Sequence, residues 1–259
     1  MDAVLLFSGQ GAQKVGMGKD LYDQYPVAKA LIEQADKALG ESLSAVMFEG
    51  PGEELTRTCN CQPALYVHGL ACLAVLKELV PSLNPVAAAG LSLGEFTAHA
   101  AAGTYSFEEG LRLVQKRGAF MEEACNATKG TMAAMIGGTD ENVIKLAQEC
   151  DVDVANFNCP GQTVVSGTEE GVAKAVAGAK AAGCKIAKKL NVAGAYHSRL
   201  MHSAMVKLAE ELKNISFGTP SMPVYCNYEA RVVEGPDDIR SMLEHQVCGS
   251  VRWTASMQK

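Results

Sequence analysis

The sequence lacks the features of an exported or membrane-spanning chain. Its first seven residues, Met1 to Phe7, carry an acidic residue and a short apolar run. A secretion signal instead has a basic start and a long apolar core. No stretch approaches the roughly 20 apolar residues needed to cross a bilayer. We therefore expect a cytoplasmic protein with reduced thiols and no membrane partner.

Metal-binding cysteine patterns are also missing. The chain has nine cysteines, an odd number, and no C-x-x-C pair. Cys59 and Cys61 form a lone C-x-C with no matching pair of cysteines or histidines downstream. A zinc site there is disfavoured against the ordinary role of cysteine as a small buried hydrophobe. We predict no metal and no cofactor.

Positive charge is in short supply. The formal net charge is −6 and the pI is about 5.5, so we expect no nucleic-acid partner. Internal repeats and low-complexity tracts are absent. Because 48% of the 259 residues are hydrophobic, the chain can bury a substantial core. Its length suits one large domain, or one domain with an insert.

The first half of the chain alternates strand and helix patterns. The predicted strands are residues 3–7 and 86–90, and the predicted helices are 21–39, 63–79, 95–102 and 107–125. Pro63 is placed in the first turn of its helix, where the missing amide hydrogen is not needed. This alternation predicts a parallel sheet covered by helices.

The second half follows a different plan. It reads strand, helix, strand, strand, helix, strand, over residues 131–136, 140–150, 152–156, 163–166, 169–182 and 185–190. This is the order of a ferredoxin-like unit, and it fits a compact subdomain inserted into a larger one. A helix near 199–213, a strand near 224–226 and a helix near 236–247 follow.

A candidate nucleophile lies between a predicted strand and a predicted helix. Gly90-Leu91-Ser92-Leu93-Gly94 matches G-x-S-x-G, in which glycines allow a turn sharp enough to expose the serine hydroxyl. The amides and dipole of the following helix favour developing negative charge. As a bare pattern the motif is weak, and an ordinary tight turn is the alternative. The strand–turn–helix context favours the nucleophile.

A serine nucleophile needs a base, and the chain offers five histidines. His68 and His99 lie in apolar helical stretches, where a satisfied structural imidazole is expected. His202 lies on a predicted surface helix. His197 falls in a loop after a strand, where functional residues gather, but spacing alone leaves its role open.

The glycine-rich turn after the first strand, Gly9 to Gln13, has three readings. A dinucleotide fingerprint would need a third glycine where Lys14 stands. The backbone amides of Gln10 and Leu93 could instead form an oxyanion hole. The remaining reading is a simple connection.

Together these residues resemble the malonyl-CoA:acyl-carrier-protein transacylases of fatty-acid synthesis and the acyltransferase domains of polyketide synthases. The resemblance runs from Phe7 to Trp253. Its most specific pieces are Gly9 to Gln13, Gln62-Pro63-Ala64, Gly90 to Glu95, Lys116-Arg117-Gly118, Gly194 to Ser198 and Val251-Arg252-Trp253.

The resemblance implies a role for each matching residue. Ser92 is then the nucleophile, and His197 is the base, oriented by a main-chain carbonyl near Gln246. Gln10 and Leu93 hold the oxyanion. Arg117 binds the malonyl carboxylate through two parallel hydrogen bonds; without the resemblance it reads as a surface arginine in a solvated ion pair. The other implied substrate-binding residues are Gln62, Met121, Asn158 and Tyr196.

The fold implied is an α/β protein with two parts. We expect a large α/β-hydrolase-like subdomain with a parallel sheet over residues 1–127 and 195–259, and a small ferredoxin-like subdomain over 128–194. We further expect a monomer that uses malonyl-CoA as substrate and acyl carrier protein as partner. The reaction implied is ping-pong transfer through a malonyl-serine ester, and bulky Tyr196 favours malonyl over methylmalonyl.

Docking of an acidic carrier protein needs positive charge. Lys185, Lys188, Lys189 and Arg199 flank the His197 loop and could supply it, although a charge run is usually a solvated face.

Two departures from the family pattern leave alternatives open. Leu91 stands where the family commonly has histidine, and the family usually continues past position 259 with a further helix, strand and glycine-rich turn. The rivals are a hydrolase of the Ser–acid–His type, with Asp151 or Asp153 as the acid, and an inactive carrier-binding relative. Fatty-acid and polyketide pathways are not distinguished.

Overall fold

The computed structural model describes residues 1–259. The strands are β1 (Asp2–Phe7), β2 (Asn84–Gly90), β3 (Gly130–Ile136), β4 (Asp153–Cys159), β5 (Gln162–Thr168), β6 (Ile186–Lys189) and β7 (Val224–Tyr225). The helices are α1 (Lys19–Gln24), α2 (Pro26–Leu39), α3 (Leu43–Glu49), α4 (Gly52–Thr56), α5 (Thr58–Leu79), α6 (Leu93–Ala101), α7 (Phe107–Ala127), α8 (Asp140–Glu149), α9 (Glu169–Gly178), α10 (His202–Lys213), α11 (Pro236–His245) and α12 (Trp253–Met257). A 3₁₀ turn spans Arg199–Met201.

The chain forms two compact units. The first comprises Met1–Ala119, Glu211–Tyr225 and Val232–Ile239. The second comprises Phe120–Glu210, Cys226–Arg231 and Arg240–Lys259.

The first unit is built on a parallel sheet in the order β1-β2-β7. Small residues Ala87 to Gly90 in β2 lie beside Val4 to Phe7 in β1, and this pairing brings the ends of the two strands together. The parallel sheet predicted for the first half is therefore confirmed. Ser8 directly follows β1, and Ser92 comes two residues after β2, so both lie at that shared edge, where functional residues gather in open α/β sheets.

The second unit contains an antiparallel sheet in the order β4-β5-β3-β6. Strand–helix–strand–strand–helix–strand is the observed order of its elements from β3 to β6. Its core packs Met135, Val143, Val165 and Val172 from both strands and helices. An α/β protein with one parallel and one antiparallel sheet is thus what the sequence encodes.

Several predicted boundaries were wrong for local reasons. The single helix at 21–39 is broken at Tyr25, which is extended because the residue before a proline avoids helical angles. The helix predicted to begin at Pro63 begins at Thr58, so Pro63 lies inside it. Strands β4 and β5 are longer than predicted, and only Pro160 and Gly161 lie between them in the turn. Helices α3, α4 and α12 were not predicted.

Helix α5 is long and apolar enough to cross a bilayer, although the sequence predicts no such stretch. It has 22 residues and passes a test of length and composition, but 61% of its most apolar window is buried in the protein. A buried core helix commonly passes the same test, so this is weak evidence for a span.

Candidate active site

Ser92 lies at a strained turn between β2 and α6. Its backbone has φ 54° and ψ −104°, which a non-glycine residue adopts only when its surroundings impose it. Such outliers cluster at functional sites. Leu93 is the first residue of α6, so the Ser92 hydroxyl stands at a helix N-terminus. This is the strand–turn–helix geometry that exposes a nucleophilic serine.

Glycines make the turn possible by allowing close backbone contacts. A Cβ on Gly90 would lie closer than 3.0 Å to the carbonyl group of Gly94, and a Cβ on Gly94 would meet the carbonyl of Phe7 equally closely. The strand end and the helix start therefore touch through their main chains. Larger residues at either position would force them apart.

The loop after β1 also packs against this turn. A Cβ on Gly9 would lie closer than 3.0 Å to the Leu91 carbonyl oxygen. Neither the Gln10 amide nor the Leu93 amide is used by another backbone group. Leu93 occupies the first helical position, where the amide has no partner within the helix. Both predicted oxyanion donors thus belong to segments in contact at one edge of the sheet.

Arg117 is buried beside the serine, which excludes the surface ion pair considered from the sequence. Its side chain is 1% exposed. One terminal nitrogen donates to the Gln62 side-chain oxygen at 2.7 Å, and the other donates to Ser92 Oγ at 3.1 Å. Both of these acceptors are neutral groups. The arrangement suits recognition of an anion next to the nucleophile.

His197 is held by a main-chain carbonyl in the second unit. Its Nδ1 lies 2.8 Å from the carbonyl oxygen of Gln246, and a carbonyl can only accept, so Nδ1 carries the hydrogen. The Nε2 atom is then the basic nitrogen. His197 is 4% exposed and has a positive φ of 54°. This is the carbonyl partner that the sequence resemblance implied.

The carboxylates of the hydrolase alternative are engaged elsewhere. Asp151 accepts from Arg199 at 2.7 Å, and Asp153 accepts from the same guanidinium at 3.1 Å. The same ion pairs bear on the predicted docking patch, because they neutralise Arg199. Lys189 pairs with Glu169 at 3.4 Å, while Lys185 and Lys188 are exposed without an ion pair.

The other predicted substrate-binding residues belong to the second unit. Met121 is buried on α7, and Tyr196 is buried beside Cys125, to which its hydroxyl donates. Asn158 on β4 has a buried side-chain oxygen without a hydrogen-bond partner. An unpaired buried oxygen is costly, so it marks a place where a ligand could bind.

Sequence reasoning missed that Arg117 lies over the ring of Phe96. It did predict a buried Cys61, and this residue, adjacent to Gln62, is fully buried. Burial raises the pKa of Cys61 to about 12, so this thiol stays protonated and does not compete with Ser92. No group of three or more histidine, cysteine or acidic side chains is arranged to hold a metal ion.

His99 on α6 was expected to be a satisfied structural imidazole, and this is only half correct. Its Nδ1 lies 3.3 Å from the Thr104 hydroxyl, but its Nε2 is buried without a partner. Complete burial lowers the pKa of His99 to about 3. The folded protein thus holds His99 neutral below the pH at which the unfolded chain protonates it, near 6.5.

This burial predicts acid sensitivity. Stability is full above pH 6.5 and falls as the pH drops toward 3, because only the unfolded chain takes up the proton there. From pH 7 to 5, wild type should lose about 2 kcal/mol more free energy of unfolding than His99→Gln. Urea melts at both pH values measure the difference. His202→Gln, at an exposed position, is the matched control, and equal losses in wild type and His99→Gln would contradict the prediction.

Comparisons with known proteins show the family of this chain. The sequence matches the acyl transferase domain family over residues 4–258, and the chain belongs to that family. It is similar to the malonyl CoA-acyl carrier protein transacylase of Bacillus subtilis strain 168, with 43% identity over 98% of this chain and 81% of the relative. The family resemblance drawn from the motifs is confirmed.

Two solved structures share the fold closely. One is the malonyl CoA-acyl carrier protein transacylase of Coxiella burnetii, with a TM-score of 0.95 and 36% identity, covering 98% of this chain and 82% of the other. The second is a type II polyketide acyl-carrier protein in complex with its malonyl-transacylase, with a TM-score of 0.94 and 37% identity, covering 98% and 84%.

Proposed function

We propose that this protein transfers a malonyl group from malonyl-CoA to the phosphopantetheine thiol of acyl carrier protein. The observation that carries the proposal is the buried Arg117 guanidinium, 3.1 Å from Ser92 Oγ at a strained turn. The pair of Ser92 and Arg117 combines a nucleophile with a group that can bind a carboxylate. The names of the similar proteins support the same substrate and partner.

The mechanism proposed is ping-pong transfer. Ser92 Oγ attacks the thioester carbonyl while His197 Nε2 accepts its proton, and the Gln10 and Leu93 amides hold the oxyanion. Coenzyme A leaves as a thiol with the proton from His197, and a malonyl-serine ester remains. The carrier-protein thiol then attacks this ester, gives its proton to His197, and restores Ser92.

We also propose roles for the remaining site residues and bounds for the two subdomains. Gln62 aligns Arg117, while Met121, Asn158 and Tyr196 shape the substrate site. The antiparallel order β4-β5-β3-β6 supports a ferredoxin-like subdomain over residues 128–194. The parallel sheet supports an α/β-hydrolase-like subdomain over 1–127 and 195–259. We further propose a monomer and a cytoplasmic location. For docking, Lys185 and Lys188 are better candidates than the ion-paired Arg199.

Hydrolysis is the second candidate, and the geometry disfavours it. A hydrolase of the Ser–acid–His type needs a carboxylate on the histidine, whereas His197 contacts the Gln246 carbonyl. The other alternative, an inactive carrier-binding relative, would have no need of the Arg117 cation next to Ser92. The presence of Ser92, Arg117 and an oriented His197 supports an active enzyme.

The test is to follow the mass of the intact protein with malonyl-CoA and with acetyl-CoA. Malonyl-CoA should label Ser92, holo carrier protein should remove the label, and acetyl-CoA should give none. In Arg117→Ala, malonyl labelling should slow about 100-fold, because a buried charge-to-charge contact is lost. Arg112→Ala, an exposed arginine on the same helix, is the control.

Three outcomes would contradict the proposal. Equal labelling by both donors would remove the malonyl assignment. Release of coenzyme A without an adduct would indicate a hydrolase, and neither release nor adduct would indicate the inactive relative.

A further inference from the structure

The Arg117 guanidinium lies over an aromatic ring. Its central carbon lies 4.9 Å from the centroid of the Phe96 ring, and Phe96 is fully buried. The edges of the same guanidinium donate to Gln62 and Ser92. The group is therefore held by two hydrogen bonds and by its contact with the ring.

Phe96 is itself held by the helix that presents the nucleophile. Phe96 is the fourth residue of α6, and Ser92 is the residue that immediately precedes this helix. The hydroxyl of Tyr105 donates to the Phe96 carbonyl oxygen at 2.7 Å, and Tyr105 is buried. The chain segment that presents the Ser92 hydroxyl therefore also presents the ring.

We propose that Phe96 is a positioning residue that selects acyl groups carrying a carboxylate, by orienting the Arg117 plane relative to Ser92. This inference rests on the proposed malonyl transfer. The ring attracts the cation through its electron-rich face and bears no charge, so this contact does not itself neutralise the guanidinium. A carboxylate partner in the same place would compete with the malonyl group instead.

Orientation matters because a carboxylate binds a guanidinium through two parallel hydrogen bonds in one plane. Arginine has a long flexible side chain, and only fixed contacts define that plane. Because Phe96 is four residues from Ser92 and Arg117 also donates to Ser92 Oγ, the ring fixes the guanidinium close to the attacking oxygen. An acyl group without a carboxylate gains nothing from the ring.

The experiment replaces Phe96 site-specifically with mono-, di- and trifluorinated phenylalanine. Each fluorine withdraws electron density from the ring face and changes its shape little. The kcat/KM for acylation of Ser92 by malonyl-CoA should fall stepwise, by about 3- to 30-fold across the series. Reaction of Ser92 with phenylmethylsulfonyl fluoride, which carries no carboxylate, should stay constant because it reports only the nucleophile.

Phe107 is the matched control, since its ring stacks on Tyr66 at 5.8 Å. The same fluorinated series at Phe107 should leave malonyl transfer unchanged. The positioning role would be wrong if fluorination of Phe96 left kcat/KM for malonyl-CoA unchanged. It would also be wrong if kcat/KM and the sulfonylation rate of Ser92 fell by the same factor. In both cases the proposed function would stand. Failure of the wild type to accept malonyl, with Ser92 still sulfonylated, would overturn both.

Discussion

Replacing Ser92 with alanine is expected to lower malonyl transfer by at least about 10⁴-fold and to remove the malonyl-enzyme adduct, because no other group in the site can form the ester. Cys61, which is adjacent in sequence to the proposed substrate-site residue Gln62, stays protonated because burial raises its pKa to about 12. Intact-mass analysis and transfer to holo carrier protein measure the two effects. Alanine lacks only the hydroxyl, so the protein should remain folded.

Ser166→Ala provides the control for that result. Ser166 is a fully buried serine whose hydroxyl has no hydrogen-bond partner, so its loss should leave transfer unchanged. Transfer by Ser92→Ala at a rate near wild type would mean that coenzyme A and carrier protein exchange the acyl group directly. The covalent mechanism would then be wrong.

Replacing Gly90 with alanine is expected to remove activity and to lower the free energy of unfolding by about 3 kcal/mol or more. The new methyl group would lie closer than 3.0 Å to the backbone of Gly94 and Glu95, which no side-chain rotation can relieve. The turn at Ser92 would have to open, and β2 would separate from α6. Chemical denaturation and the adduct assay measure both consequences.

Gly52→Ala is the matched substitution for this test. Its added methyl group would make only an ordinary contact with Val15, and it lies at the start of α4 without a positive φ. We expect normal activity and a stability change near zero. A Gly90→Ala protein with wild-type stability and activity would show that the turn tolerates a side chain, against the geometry described here.

The parts of the fold that follow from local pattern could be predicted from sequence. Apolar runs ending in glycine located β1 and β2, and the G-x-S-x-G motif located Ser92 between strand and helix. The predicted helix boundaries were wrong where several residues together determine where a helix begins or ends. Tyr25 becomes extended because Pro26 begins the next helix, and the start of α5 at Thr58 has no strong local signal.

The site was harder to predict from sequence than the fold, because its contacts join residues that are far apart along the chain. In sequence, Arg117 looks like an exposed helical arginine, and only the fold places it against Gln62 and Ser92. The resemblance to a family, and not periodicity, identified its role. Phe96 had no signal beyond its apolar character. No pattern records that its ring faces a cation, since that depends on the packing of α6 against α7.

Lys188 and Lys189 also have a consequence for the protein on its own. They lie on β6, the outermost strand of the antiparallel sheet, next to the exposed apolar side chain of Ile186. An outer strand with free backbone groups and an exposed isoleucine invites another chain to pair with it. Lys188 has no ion pair, so its positive charge repels an identical strand from a second molecule, while Lys189 adds a long charged side chain that is partly compensated by Glu169. The lysines of β6 therefore keep the sheet from growing into an aggregate.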